Sequence, residues 1–385
     1  MQKHAPLGLF FFASLTQSLF YWLLSSVISK VRGTEALGEL SFLLSLIGPV
    51  SILSGLQLKN YYLSKKVGDD WREILFLRLI FSNAVFFIFI IIILITQPAL
   101  SEVALSLTLI KGSESWSELC QMRWQKKNQL IKISLSLLGR YLIGIMICCC
   151  YLVYNHNIPL YPILAFFGLL FAFFDTIVDR FHLSDWSLPS GTFKVVLKLS
   201  GSALLTSLLI NLPRYLLKNF HGGSSLGIFS AMFYFYVIPT MLINIGLQGV
   251  MHQLSSILDK GLVRIGVSFI FVCSLILFTT LHILGTDFMR SIYSINIEWN
   301  ILYSLLITAS FFFGGLNSLF QYSLLGLNIY NVQLLTSLTA FSCVTLLGLW
   351  LIPGWGILGA FASFLLGLLV QFSLYCYFYL KSRYG

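Results

Sequence analysis

Six ionisable side chains fall at membrane depth in this chain: Lys111, Glu114 and Glu118 in one stretch, Arg140 in the next, then Asp175 and Lys198. A charge in hydrocarbon is costly, so such residues face a partner, a cavity or water, and each is a candidate site residue. Two chemistries suit them. Lys and Arg donate to phosphate and carboxylate oxygens, so Lys111, Arg140 and Lys198 together would line a cationic chamber for a phosphorylated or acidic substrate, with Lys59 a further cation. Glu114, Glu118 and Asp175 would bind a coupling ion, a proton or Na⁺, or act only as counter-charges. A plainer reading stands beside both. Lys111 and Glu114, three residues apart, pair on one helix, and Asp175 and Asp179 neutralise Lys194 and Lys198 across a loop. Arg140 has Ser136 one turn before it and no acidic residue within a turn on its own helix. It is the strongest single substrate candidate.

Catalytic motifs are missing. There is no DxD-like sugar-nucleotide motif, no Ser/His/Asp order in a large loop and no Gly-rich phosphate loop followed by Lys. The six histidines stand singly at helix ends, and the seven cysteines show no metal-binding spacing. The expectation is a protein without enzymatic activity, metal or cofactor.

The elements that position these residues are membrane helices. Hydrophobic residues make up 57% of the chain and charged residues 10%, with a mean hydropathy of +0.87. A water-soluble protein with so little charge could not cover its surface. The 385 residues hold about a dozen helices of ~20 residues each. Apolar runs bounded by polar or Gly/Pro marks predict twelve: 7–29, 36–58, 74–95, 99–120, 131–154, 160–178, 193–217, 226–251, 262–284, 301–325, 332–352 and 355–380. The fourth is short and polar, and a Pro353-Gly354 turn separates the last two. The all-α, polytopic reading divides into two six-helix bundles, 1–190 and 191–385, with a central cavity. Placing the N-terminus inside puts seventeen of the 24 Lys and Arg residues on the cytoplasmic side and five outside, so both termini are expected to be cytoplasmic. The formal charge of +10 is then an orientation signal and an attraction to anionic lipid. Nucleic-acid binding is not needed to explain it.

The stretch from Gly33 to Ser64 organises the chain. Gly33 and Gly38 open the second helix, Gly48-Pro49 breaks it and Gly55-Leu56-Gln57 ends it. The same order returns as Gly222, Gly227, Pro239 and Gly246-Leu247-Gln248. A parallel internal repeat leaves such a trace. Gly48, Pro49 and Pro239 are hinge candidates, because proline removes a backbone hydrogen bond.

Three places carry a family resemblance: Gly38 to Tyr62; Trp124-Gln125-Lys126-Lys127 with Ser134 and Ser136; and Asn211-Leu212-Pro213-Arg214-Tyr215 followed by Leu226-Gly227-Ile228-Phe229. With the helix count they resemble the polysaccharide flippases of the multidrug, oligosaccharidyl-lipid and polysaccharide exporter superfamily. The resemblance implies two bundles around a chamber and alternating access. It also implies a lipid-linked oligosaccharide substrate, such as an O-antigen or capsule unit on undecaprenyl pyrophosphate, flipped across the bacterial inner membrane for a polysaccharide polymerase to use. Arg214 and Asn211 are family marks on this basis. The chain departs in its short length and in lacking an arginine in the first helix. A multidrug exporter of the same fold, preferring an acidic and aromatic cavity, and a membrane enzyme of polysaccharide assembly, needing a sizeable outer loop, are the alternatives.

Overall fold

In the computed structural model, residues 5–64, 71–96, 98–154, 159–179, 192–254, 260–326 and 330–384 are described. The helices are α1 (Ala5–Gly55), α2 (Leu58–Ser64), α3 (Trp71–Thr96), α4 (Ser101–Lys126), α5 (Leu130–Val153), α6 (Leu160–Asp179), α7 (Thr192–Leu254), α8 (Lys260–Tyr293), α9 (Ile301–Gly326) and α10 (Tyr330–Tyr384). Eight of them are long and apolar enough to cross a membrane, and in α1, α7 and α10 that stretch runs 48, 52 and 50 residues. At 1.5 Å per residue such lengths exceed twice the roughly 30 Å of hydrocarbon. Each is two spans joined at a glycine with non-helical dihedrals: Gly33, Gly222 and Gly356. With α4 these make the twelve expected spans of a multi-pass membrane protein.

Four details differ from the sequence reading. α1 runs through Pro49 and α7 through Pro239, because a single lost hydrogen bond is tolerated inside a membrane helix packed by its neighbours. The second Gly-Leu-Gln does not close its helix, since α7 continues to Leu254. The break between the last two spans lies at Gly356 (φ 52°), past the Pro353-Gly354 pair. α4 reaches Lys126, longer than its apolar content suggested. The Asp-, Ser- and Pro-containing loop before α7, and the topological charges Lys3, Lys65, Lys66 and Arg180, lie outside the described residues.

The chain forms two compact units. The first comprises Met1–Leu24 and Leu43–Leu204, the second Ser25–Phe42 and Leu205–Gly385. In the first, α4 is the hub, packed on α2, α3, α5 and α6. Its serines 106, 113, 115 and 117 are buried. Its neighbours turn apolar side chains outward instead: Phe87 and Ile95 on α3, Met146 on α5, and Phe166 and Phe173 on α6 are each more than 60% exposed. Polar inside and apolar outside is the order a bilayer imposes. The second unit has an aromatic core, in which Phe229, Phe233, Phe361 and Phe364 are fully buried. Here Ser26 and Ser29 donate to the carbonyls of Ile292 and Tyr293 at 2.6 and 2.7 Å, satisfying orphan acceptors at the end of α8.

The two halves of the repeat meet in this second unit. Gly33 (φ 86°, ψ 179°) and Gly222 (φ 81°, ψ −178°) share one backbone conformation, which a side chain would strain. A Cβ on Gly38 would overlap the Gly223 carbonyl, and a Cβ on Gly227 would overlap the Thr34 carbonyl. The offset that carries Gly33 onto Gly222 also carries Thr34 onto Gly223 and Gly38 onto Gly227. The crossing is therefore self-complementary, as a local two-fold requires.

Candidate functional site

The polar centre of the first unit lies along α4. Lys111 Nζ donates to Glu114 Oε2 at 2.8 Å and stands 4.1 Å from the centre of the Tyr21 ring. Tyr21 and Tyr141 both donate to Glu114 Oε1, at 2.6 and 2.8 Å. Every oxygen of this carboxylate is thus engaged as an acceptor. One turn on, Glu118 Oε2 accepts from Arg78 Nη2 at 2.6 Å, and the same nitrogen reaches the Ser115 carbonyl at 2.7 Å. Arg140 on α5 donates to Ser117 Oγ and stands 3.8 Å from Asp175 Oδ2, which also accepts from Ser136 at 2.8 Å. Arg123 Nη1 meets Asp179 Oδ2 at 2.6 Å. A cavity of about 20 Å³, room for a single water, is bordered by Glu114, Arg140 and Tyr141.

These distances revise the sequence reading. Asp175 and Asp179 pair with Arg140 and Arg123 rather than with Lys198, while the side chain of Lys194 lies outside the described residues. The reason is register, since α6 packs against both α4 and α5 and its inner end meets cations already there. The polar residues of α4 divide among several partners as well. Glu114 turns to Tyr21 and Tyr141, whereas Ser115 and Glu118 turn to Arg78, because a helix surrounded on all sides offers several partners to a face drifting along its length. Lys111 and Arg140 therefore enter one network, and Lys59 lies within electrostatic reach of Glu118. Lys198 is exposed on α7 and outside it.

Tyr21, Arg78, Ser117 and Tyr141 were not singled out from sequence. Arg78 is buried, 3% exposed, at the third turn of an apolar helix, and that placement was the readable signal. The tyrosines carried none, as aromatic residues are common in such helices.

In the second unit, Arg214 lies on α7 about two turns before Gly222. Its Nη1 donates to Asn211 Oδ1 at 2.8 Å, and the guanidinium sits 4.9 Å from the centre of the Phe233 ring. Asn211 in turn donates to the Ser207 carbonyl at 2.9 Å. No carboxylate pairs with Arg214 among the described residues, and its Nε has no hydrogen-bond partner. The four salt bridges above all belong to the first unit.

No family model matches the chain. A capsular polysaccharide biosynthesis protein, CapF of Staphylococcus aureus, is 26% identical over 398 residues, covering 96% of this chain and 97% of the relative. Among solved structures, an inward-facing multidrug resistance transporter of the MATE family superposes with a TM-score of 0.68 at 12% identity, covering 95% and 94% of the two chains. The lipid II flippase MurJ in an inward closed conformation gives 0.66 at 12% identity, covering 96% and 87%. The Vibrio cholerae MATE transporter VcmN gives 0.66 at 12% identity, covering 99% and 97%. These neighbours are transporters and flippases, not enzymes. The fold is that of the MATE transporters and the lipid II flippase MurJ, and over its whole length the chain is similar to a capsular polysaccharide biosynthesis protein.

Proposed function

We propose that the chain flips an oligosaccharide linked to a polyprenyl pyrophosphate, an O-antigen or capsule unit, from the cytoplasmic to the outer leaflet of a bacterial inner membrane. The observation that supports this reading is Arg214. A guanidinium inside a membrane helix, held by an amide and a phenyl ring but by no carboxylate among the described residues, keeps a full charge for an anionic ligand. Lys198, exposed on α7, is a second such cation. The whole-length similarity to a capsular polysaccharide biosynthesis protein suits a pyrophosphate head group better than a cationic drug. Arg140, Lys111 and Lys59 stay substrate candidates of lower rank, as the first two already face carboxylates.

Translocation is by alternating access without covalent chemistry, and Gly48, Pro49 and Pro239 serve as bend points. Coupling runs through Glu114, Glu118 or Asp175. Each is matched to its own cation, so Na⁺ would enter against a fixed positive charge, whereas a proton only has to release that cation. A proton is the coupling ion this balance favours.

Proteoliposomes holding the full chain and a lipid-linked oligosaccharide test the reading, with flipping measured as exposure of the sugar to an added glycosidase. A charged hydrogen bond to phosphate is worth about 1.5–3 kcal/mol, so Arg214→Ala should slow flipping roughly tenfold or more. Arg214→Lys should keep part of the rate. Unchanged flipping by a well-folded Arg214→Ala would remove the anion role. Export of a lipophilic cation without any oligosaccharide flipping would install the multidrug reading instead.

A further inference from the structure

A second cavity of the first unit lies apart from the ion-pair centre. It has a volume of about 440 Å³ and is walled by α3, α4 and α6. On α3 its lining runs from Arg78 to Ile90, a length of about 18 Å at 1.5 Å per residue. That is a little over half of the ~30 Å hydrocarbon layer, the depth of one leaflet. Its lining includes Leu109, Leu169 and Phe173, which are 36%, 45% and 63% exposed. Exposed apolar side chains on membrane-spanning helices meet lipid, so lipid is the solute expected to enter here.

The cavity is polarised along its length. Phe86, Ile90 and Leu109 line one end, with Thr108, whose hydroxyl is bound to the Ala104 carbonyl; Arg78, Ser82, Ser115 and Thr176 line the other, beside the ring of Phe173. Beyond the polar end, towards the start of α3, comes an interfacial belt. Tyr62 and Trp71 rings lie 5.5 Å apart, Lys126 sits 3.9 Å from the centre of Tyr62, and Arg123 lies 5.1 Å from the centre of Trp71. Aromatic rings and cations of this kind mark the head-group level. Arg72 is exposed there. It precedes the exposed, cavity-lining Asn83 by eleven residues, three helical turns, and so shares its face.

Gly112 completes the argument. It lines the cavity from the middle of α4, where glycine weakens a helix by about 1 kcal/mol relative to alanine. A Cβ placed on it meets nothing within 4 Å. A side chain at this position is sterically free to enter the cavity, and its absence leaves the space open.

We propose that this cavity binds one acyl chain of an anionic phospholipid, its chain running from Arg78 towards Ile90 and its head group held at Arg72. Trp116 lines the cavity and supplies the reporter. The full chain is reconstituted in phosphatidylcholine containing a minor fraction of phosphatidylglycerol brominated on one acyl chain. Quenching assigned to Trp116 by difference from Trp116→Phe should exceed the quenching given by brominated phosphatidylcholine at the same fraction. Gly112→Phe should abolish that excess, and Gly112→Ala should keep it. Arg72→Gln, an exposed change that leaves the packing intact, should lose the preference for phosphatidylglycerol. Equal quenching by the two lipids, an excess that survives Gly112→Phe, or an undiminished preference in Arg72→Gln would each overturn the proposal. Displacement by unlabelled polyprenyl phosphate but not by unlabelled phosphatidylglycerol would overturn it as well, by giving the cavity to the isoprenoid.

Discussion

Arg140 shows at the scale of one residue how a charge at depth can be located from sequence while its partner cannot. Its burial, at 8% exposure, follows from its place within an apolar helix. Its neighbours come from elsewhere in the chain: Ser117 on α4, and Asp175 on α6 at 3.8 Å. Sequence spacing reports only partners on the same helix, so Lys111 and Glu114 were legible as a pair. Arg140–Asp175 and Arg78–Glu118 were not. Removing one member of a buried pair strands the other, a loss of about 3–5 kcal/mol in comparable cases. Arg140→Ala should therefore lower the thermal midpoint of the detergent-purified protein and its abundance in the membrane. Adding Asp175→Asn, which keeps the shape and removes the charge, should restore a good part of both. If the double variant is no more stable than Arg140→Ala, the pair is not what holds Arg140 in place.

Helices and their crossings were read with mixed success, and the reason differs between glycine and proline. Gly33 and Gly222 were legible because the backbone there needs a positive φ, which few other residues accept. Gly38 and Gly227 were legible as small-residue marks, although only the fold reveals what they touch. Pro49 and Pro239 misled, since a proline in a long membrane helix does not have to interrupt it. The self-complementary crossing gives a quantitative expectation. Gly38→Ala and Gly227→Ala each press a Cβ into a backbone carbonyl, and backbone has little room to yield, so each should destabilise the protein by about 1–3 kcal/mol. Because the two sites are equivalent under the repeat, their losses of thermal midpoint should agree closely. Gly112→Ala, which meets open space, should instead hold or raise the midpoint by its helix propensity. A harmless Gly38→Ala beside a damaging Gly227→Ala would mean that the repeat does not extend to the packing.

For the molecule as a whole, composition alone required a membrane protein, and the apolar runs placed ten of its spans with ease, the fourth and the tenth (301–325) being the weakest. α4 was the more obscure of the two. A hub helix is wrapped by others and has no lipid to satisfy, so it loses the apolar signal that betrays a span, and four of its serines are buried without penalty because each can bond within the protein. The contact units cut across chain order, since Ser25–Phe42 packs with Leu205–Gly385 although it precedes most of the first unit in sequence. What the sequence does carry about the whole molecule is orientation. Lys and Arg cluster at the α2–α3 and α4–α5 junctions, as Lys59, Lys65, Lys66, Arg72, Arg123, Lys126, Lys127 and Lys132. The opposite ends of the same helices, near Thr96 and Tyr154, carry none. Positive residues are retained on the cytoplasmic side during insertion, so with an even number of spans both termini are expected there. Reporter fusions to the full-length gene cut after Lys127 should therefore signal cytoplasm, and those cut after Thr96 or Asp287 the outside. Thr96 tests α3 and Lys127 tests α4, the span with the weakest apolar signal. If α4 failed to cross, Thr96 and Lys127 would report the same side, and every later span would be inverted.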